Sequence, residues 1–119
     1  MTDEATLALD PARARELIDG GAQVVDVRTA NEHAVSHIEG AAHVPLERLD
    51  EEAEELDRER PLVVYCRGGN RSAMAAEALR NSGWEAHSID GGLVAWTESG
   101  LPVEPEGAEV APAENLPPR

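Results

Sequence analysis

Lysine and phenylalanine are absent from this 119-residue chain, and cysteine occurs once, at Cys66. A single cysteine excludes an internal disulfide, a Cys-x-x-Cys redox pair and a zinc site built from cysteines. Aromatic side chains are limited to Tyr65, Trp84 and Trp96. No apolar run approaches the roughly 18 residues needed to span a bilayer. The opening Met-Thr-Asp-Glu is acidic and has no apolar stretch of the kind that marks a secretory signal. Basic residues are scarce: ten arginines face 24 acidic residues, for a formal charge of −14. So acidic a chain is a poor binder of nucleic acid or anionic membrane through bulk charge. The expectation is a cytoplasmic protein without nucleic-acid or membrane partners. The composition suits a salt-rich cytoplasm and a GC-rich coding sequence equally.

The length predicts one ordinary domain with a modest core. Asp10 is placed to cap a helix, Pro11 takes its first position, and Gly20-Gly21 stops it. Gln23 to Val27 is short, β-branched and strand-like. Thr29 followed by Glu32 fits a capping box opening a brief helix. Ile38 to Pro45 reads as a turn and a short strand. Leu46, Leu49, Ala53 and Leu56 recur at helical spacing, with Glu51, Glu52, Glu54 and Glu55 on the other side. This predicts one helix with a solvated acidic face.

Leu62-Val63-Val64-Tyr65-Cys66 is a continuous apolar run, typical of a central parallel strand. A tight loop follows, then an Ala-rich helix from Ser72 to Asn81. Trp84 to Ile89 forms a further strand, and Leu93 to Glu98 a short helix after Asp90-Gly91-Gly92. Alternating strands and helices predict an α/β domain around a mostly parallel sheet. Five of the eight prolines fall in residues 102–119. The domain is therefore assigned to residues 1–104, and the acidic, Pro-rich residues 105–119 are expected to be disordered or loosely draped.

The chemistry concentrates after the apolar run, in Cys66-Arg67-Gly68-Gly69-Asn70-Arg71. A Gly-rich turn between a buried strand and a helix aims backbone N–H groups at one point. The helix N-terminus adds its positive end, and Arg67 and Arg71 add full charges. All of these favour a negative sulfur, which makes Cys66 the candidate nucleophile. Gly68 and Gly69 permit backbone approach that a side chain would block.

Cys66-Arg-Gly-Gly-Asn-Arg-Ser72 resembles the active-site loop of the rhodanese (thiosulfate sulfurtransferase) family. Val25-Asp26-Val27-Arg28 with Glu32, then His37-Ile38-Glu39-Gly40-Ala41 with Val44-Pro45, resembles the family's N-terminal signature. Gly91-Gly92 with Trp96, closed by Gly100-Leu101-Pro102-Val103, resembles its C-terminal one. The pieces stand in family order over roughly residues 5–104. One departure is Ser36, where the family usually has Gly. The resemblance implies the rhodanese-like α/β fold, a central mostly parallel sheet with helices on both faces.

It also implies a reaction without a cofactor. Cys66 takes the outer sulfur of thiosulfate or another persulfide donor and passes it to an acceptor. Cyanide, an external thiol or a thioredoxin-like partner would serve. Arg67 is the first candidate to contact an anionic donor. Arg71 either does the same or braces the loop through a carboxylate. The backbone of Arg67, Gly68, Gly69, Asn70 and Arg71 is the expected cradle. Asp26, Arg28, Glu32 and Ser72 are expected as structural support. His33 and His37 stand four apart, as on a ligand helix, but no third ligand is apparent and no metal is expected.

Two other functions use a cysteine in a comparable loop. Cysteine phosphatases place five residues between Cys and Arg; only four separate Cys66 from Arg71, a tighter loop suited to a single sulfur. A persulfide relay serving a partner protein is the other alternative, and Cys66 would be retained there too.

Overall fold

The structure is a computed structural model that describes residues 6–112. Five strands form one sheet: β1 (Ala8–Leu9), β2 (Gln23–Asp26), β3 (Ala42–His43), β4 (Leu62–Tyr65) and β5 (Ala86–Ile89). Their order is β1-β5-β4-β2-β3, and every pairing is parallel. The helices are α1 (Pro11–Asp19), α2 (Ala30–Val35), α3 (Leu49–Glu52), α4 (Asn70–Asn81) and α5 (Gly92–Glu98). No helix among the described residues is long and apolar enough to cross a membrane.

The side-chain period of two divides the strands between two apolar layers. Val25, Leu62, Val64 and Ala86 point to one layer, where they are covered by Ala75, Ala76 and Leu79 of α4, by Leu49 and Ala53, and by Trp84 from the turn before β5. Val24, Val63, Tyr65 and Ile89 point to the other, against Ala14 of α1 and Leu93 and Trp96 of α5. Both faces of β4 are therefore buried, which explains its unbroken apolar run.

The capping signals act as read. Asp10 accepts the Arg13 N–H at 2.9 Å. Thr29 and Glu32 close a reciprocal capping box on α2. Two expectations need correction. The single helix predicted over 46–56 is broken into a 3₁₀ turn (Leu46–Arg48), the four residues of α3, and a second 3₁₀ turn (Ala53–Glu55). Its apolar side still faces the core, with Leu49 and Ala53 buried. Asp50, Glu51, Glu52, Glu54 and Glu55 would repel one another along a continuous helix.

The second correction concerns the C-terminal segment. Residues 105–112 are not loosely draped: Ala111 is buried, Val110 packs on the α1/α5 layer, and both Glu109 and Ala111 accept side-chain hydrogen bonds. The remainder of that segment, 113–119, lies outside the described residues.

Strand order places the candidate loop. From β2 the chain moves outward to β3, and from β4 it moves the other way to β5. The crevice at the carboxyl ends of β2 and β4 is the topological switch point, where open α/β sheets bind ligands. Val27-Arg28-Thr29 and Cys66 to Gly69 form its two sides.

Candidate active site

Cys66 leaves β4 on the α4 side of the sheet and is 1% exposed. Its Sγ accepts the Gly69 N–H at 3.1 Å and the Ser72 N–H at 3.4 Å. Both donors belong to the turn into α4, whose first-turn N–H groups have no carbonyl one turn back. Gly69 takes φ +104°, and a Cβ there would stand 3.1 Å from the Gly91 nitrogen. That conformation folds the loop back over sulfur.

The loop is held from behind by α5. Leu93 N–H donates to the Cys66 carbonyl at 2.8 Å, and Val94 N–H to the Arg67 carbonyl at 3.1 Å. This contact requires Gly92, where a Cβ would fall 2.4 Å from the Arg67 oxygen. Ser72 is fully buried. Its hydroxyl donates to the Gly69 carbonyl at 3.2 Å and meets Ser88 Oγ at 2.9 Å, fixing the loop to β5.

The two loop arginines have different partners. Arg71 grips Glu32 with two parallel bonds, Nη1 to Oε1 at 3.0 Å and Nη2 to Oε2 at 3.1 Å. This is the geometry expected of the brace. Burial alone would push the Glu32 carboxyl up. The Arg71 bonds, the Thr29 N–H and the nearby arginine charges outweigh it and hold the carboxyl below its usual range. Arg67 instead donates Nε to the Ala111 carbonyl at 2.9 Å, and no carboxylate pairs with it among the described residues. Gly68 and Asn70 are exposed on the rim of the turn.

Asp26 and Arg28 form a second, fully buried pair beside this one. Arg28 donates Nε to Oδ1 at 2.9 Å, Nη2 to Oδ2 at 2.7 Å, and Nη2 also to the Ser36 carbonyl at 2.6 Å. Asp26 further accepts the Tyr65 hydroxyl at 3.1 Å and lies 2.8 Å from His33 Nδ1. Burial again opposes its charge, and the Arg28 and His33 contacts prevail, so its carboxyl sits below the ordinary value. Burial and the Asp26 charge push the Tyr65 hydroxyl far up, leaving it a neutral donor. None of Asp26, Arg28 and Glu32 touches Cys66 through a hydrogen bond among the described residues.

His33 stacks between His37 (4.1 Å) and His43 (4.6 Å). Burial and these neighbours lower the His33 pKa despite Asp26. Sequence reasoning missed the Asp26–His33 and Asp26–Tyr65 contacts, the α5 N–H pair behind the loop, and the Ala111 contact to Arg67. Only Gly91-Gly92 carried a visible signal for any of them.

The site therefore presents one sulfur under two N–H donors, followed by an arginine, Arg67, that pairs with no carboxylate among the described residues. Known proteins share this arrangement's frame. Residues 10–99 match the rhodanese-like domain family. The chain is 39% identical over 87 residues to the thiosulfate sulfurtransferase GlpE of Pseudomonas aeruginosa, covering 72% of this chain and 79% of that protein. It is 37% identical over 111 residues to the HTH-type transcriptional regulator Rv0324 of Mycobacterium tuberculosis. That match takes in 91% of this chain but only 47% of the regulator, about half its length. The fold is similar to the crystal structure of a rhodanese-related protein from Thermoplasma volcanium, with a TM-score of 0.77 and 33% identity over 82% of this chain and 96% of that one. On sequence and fold together, the chain belongs to the rhodanese-like family.

Proposed function

We propose that this protein is a thiosulfate sulfurtransferase acting through a persulfide on Cys66. The observation that carries the reading is Cys66 Sγ at the focus of the Gly69 and Ser72 N–H groups, with Arg67 paired to no carboxylate among the described residues. The Cys66 thiolate attacks the outer sulfur of thiosulfate. The S–S bond of the donor breaks, and sulfite leaves with the bonding pair. A Cys66 persulfide anion remains. Cyanide, or an external thiol, then attacks the terminal sulfur, and the Cys66 thiolate leaves and is regenerated. The two N–H donors serve thiolate and persulfide alike, because each places negative charge where they point. Arg67 neutralises the incoming dianion, and Arg71 with Glu32 keeps the loop in shape.

Cys66 is the sole cysteine, so no internal thiol resolves the persulfide. It persists until an acceptor arrives. This favours a second use of the same chemistry, in which the protein relays sulfur from one partner to another.

The test is an intact-mass spectrum after mixing with thiosulfate, on the wild type and on Cys66→Ala, followed by cyanide. Wild type is expected to gain one sulfur, Cys66→Ala none, and cyanide to remove it as thiocyanate. No gain with thiosulfate, but a gain with a small-molecule persulfide, would identify the relay. No gain with either would overturn sulfur transfer.

A further inference from the structure

After α5 the chain turns back along the site. Trp96 Nε1 donates to the Pro102 carbonyl at 2.8 Å, and Val103 is buried in the α1/α5 layer. Glu104 pairs with His37 in an antiparallel bridge, with N–H to O distances of 2.9 and 2.7 Å. Ser36 Oγ donates to the Glu109 carbonyl at 2.9 Å. Ser36 is fully buried, and it stands where the rhodanese pattern usually has Gly, a residue with no hydroxyl to give. Val110 rests on the α1/α5 layer, and the Ala111 carbonyl receives Arg67 Nε. Residues 104–111 thus form a strap from the end of α2 to the Cys66 loop.

The acceptor at the strap's end decides what Arg67 can do. A carboxylate would orient a guanidinium and neutralise it, as Glu32 does for Arg71. A peptide carbonyl orients it and leaves its charge intact. It also takes only Nε, so both Nη groups stay without a partner among the described residues. An arginine held before the ligand arrives loses less side-chain freedom on binding.

We propose that the strap is part of the donor site, with the Ala111 carbonyl positioning Arg67 for small dianionic sulfur donors of the thiosulfate type. The inference rests on the sulfur-transfer reading above and adds a positioning element to it. It follows that freeing Arg67 from the strap weakens donor capture without altering the chemistry at Cys66.

The experiment is steady-state thiocyanate formation from thiosulfate and cyanide by the full chain. Val110→Asp puts a charge under the strap and lifts it. Arg67→Lys keeps the positive charge but has no Nε to give Ala111. Each single variant is expected to raise the KM for thiosulfate about tenfold, the size of one charge-assisted hydrogen bond, with kcat within about twofold. The double variant should be no worse than Arg67→Lys alone, because that substitution already removes the Ala111 contact that Val110→Asp breaks. A chain ending at Gly107 should reproduce Val110→Asp, and thermal unfolding checks that each variant is folded. If the shortened chain does not fold, Val110→Asp and Arg67→Lys decide.

A wild-type KM in Arg67→Lys or in folded Val110→Asp overturns the strap, as do effects that multiply in the double variant or fall on kcat alone. In those cases wild-type turnover leaves the sulfur-transfer reading standing. A wild-type chain that makes no thiocyanate overturns that reading and this inference with it.

Discussion

Arg67 and Arg71 lie four residues apart on one loop, and their surroundings give them different partners. The sequence announced both as charges near Cys66 and left Arg71 two roles. Its partner in the structure is Glu32, thirty-nine positions away, delivered by the capping box of α2. That Glu32 pairs at two ends, with Thr29 and with Arg71, makes it the most exacting position behind the loop. Glu32→Gln leaves Arg71 half-buried against a neutral amide. Removing one partner of a buried pair typically costs about 3 kcal/mol, and a loss of that order is expected in urea unfolding. Sulfur transfer should fall with it as the loop loosens. A change below about 1 kcal/mol would mean that Arg71 finds water as good a partner as Glu32.

At the level of elements, the short helix α5 is as much a part of the loop as the residues that bear its chemistry. Its first N–H groups hold the Cys66 and Arg67 carbonyls, and Gly92 lets them come that close. Gly92→Ala brings a Cβ against backbone at 2.4 Å in a left-handed conformation, φ +63°. The expected result is a stability loss of about 2 kcal/mol or more, with persulfide formation slowed further than stability explains. Denaturant melts and loading rates by intact mass measure the two effects separately.

Most elements were legible because each announced itself locally. β2 and β4 showed β-branched runs, α1 and α2 their caps, and α4 its Ala-rich register. β1 was not legible: two residues carry no periodicity, and the strand exists because Ser88 and Asp90 N–H groups need the Leu7 and Leu9 carbonyls. The break in residues 46–56 was hidden for a related reason, since apolar spacing records which side is buried and not whether the backbone stays helical. The strap is not legible, because the prolines and glutamates of residues 102–119 predict a loosely held segment. What holds it is backbone carbonyls offered to Ser36 and Arg67, and composition does not register those.

For the molecule as a whole, the charge of −14 sets a field that opposes the anionic donor proposed for the loop. Salt screens the long-range repulsion more than the short-range contacts within the site. Moderate salt is therefore expected to raise, or at least not lower, kcat/KM for thiosulfate. A steep fall with an inert salt would place the dominant attraction in the long-range field instead.

Acid should weaken the fold in two stages. His33 has its pKa lowered below 6.5, so it favours the neutral form when folded; its contribution is complete above 6.5 and declines as pH falls beneath it. Asp26 and Glu32 lie below 3.8 and 4.5, so their contribution is complete above those values and is lost as pH falls through the lower folded ones. Thermal midpoints from pH 8 to 3, in salt sufficient to damp the overall charge, should show a shallow decline and then a steep one. His33→Gln should erase the first stage and spare the second.

The two tryptophans offer a way to watch this happen. Trp84 sits in the α4 layer beneath Arg58, and Trp96 in the α1/α5 layer on the far side of the sheet. With no phenylalanine and one tyrosine, each face carries a single strong fluorophore of its own. Chains retaining only Trp84 or only Trp96 would report separately on the two layers. Coincident transitions would mean that both faces of the sheet melt as one unit, and separated ones would reveal which layer lets go of the Cys66 loop first.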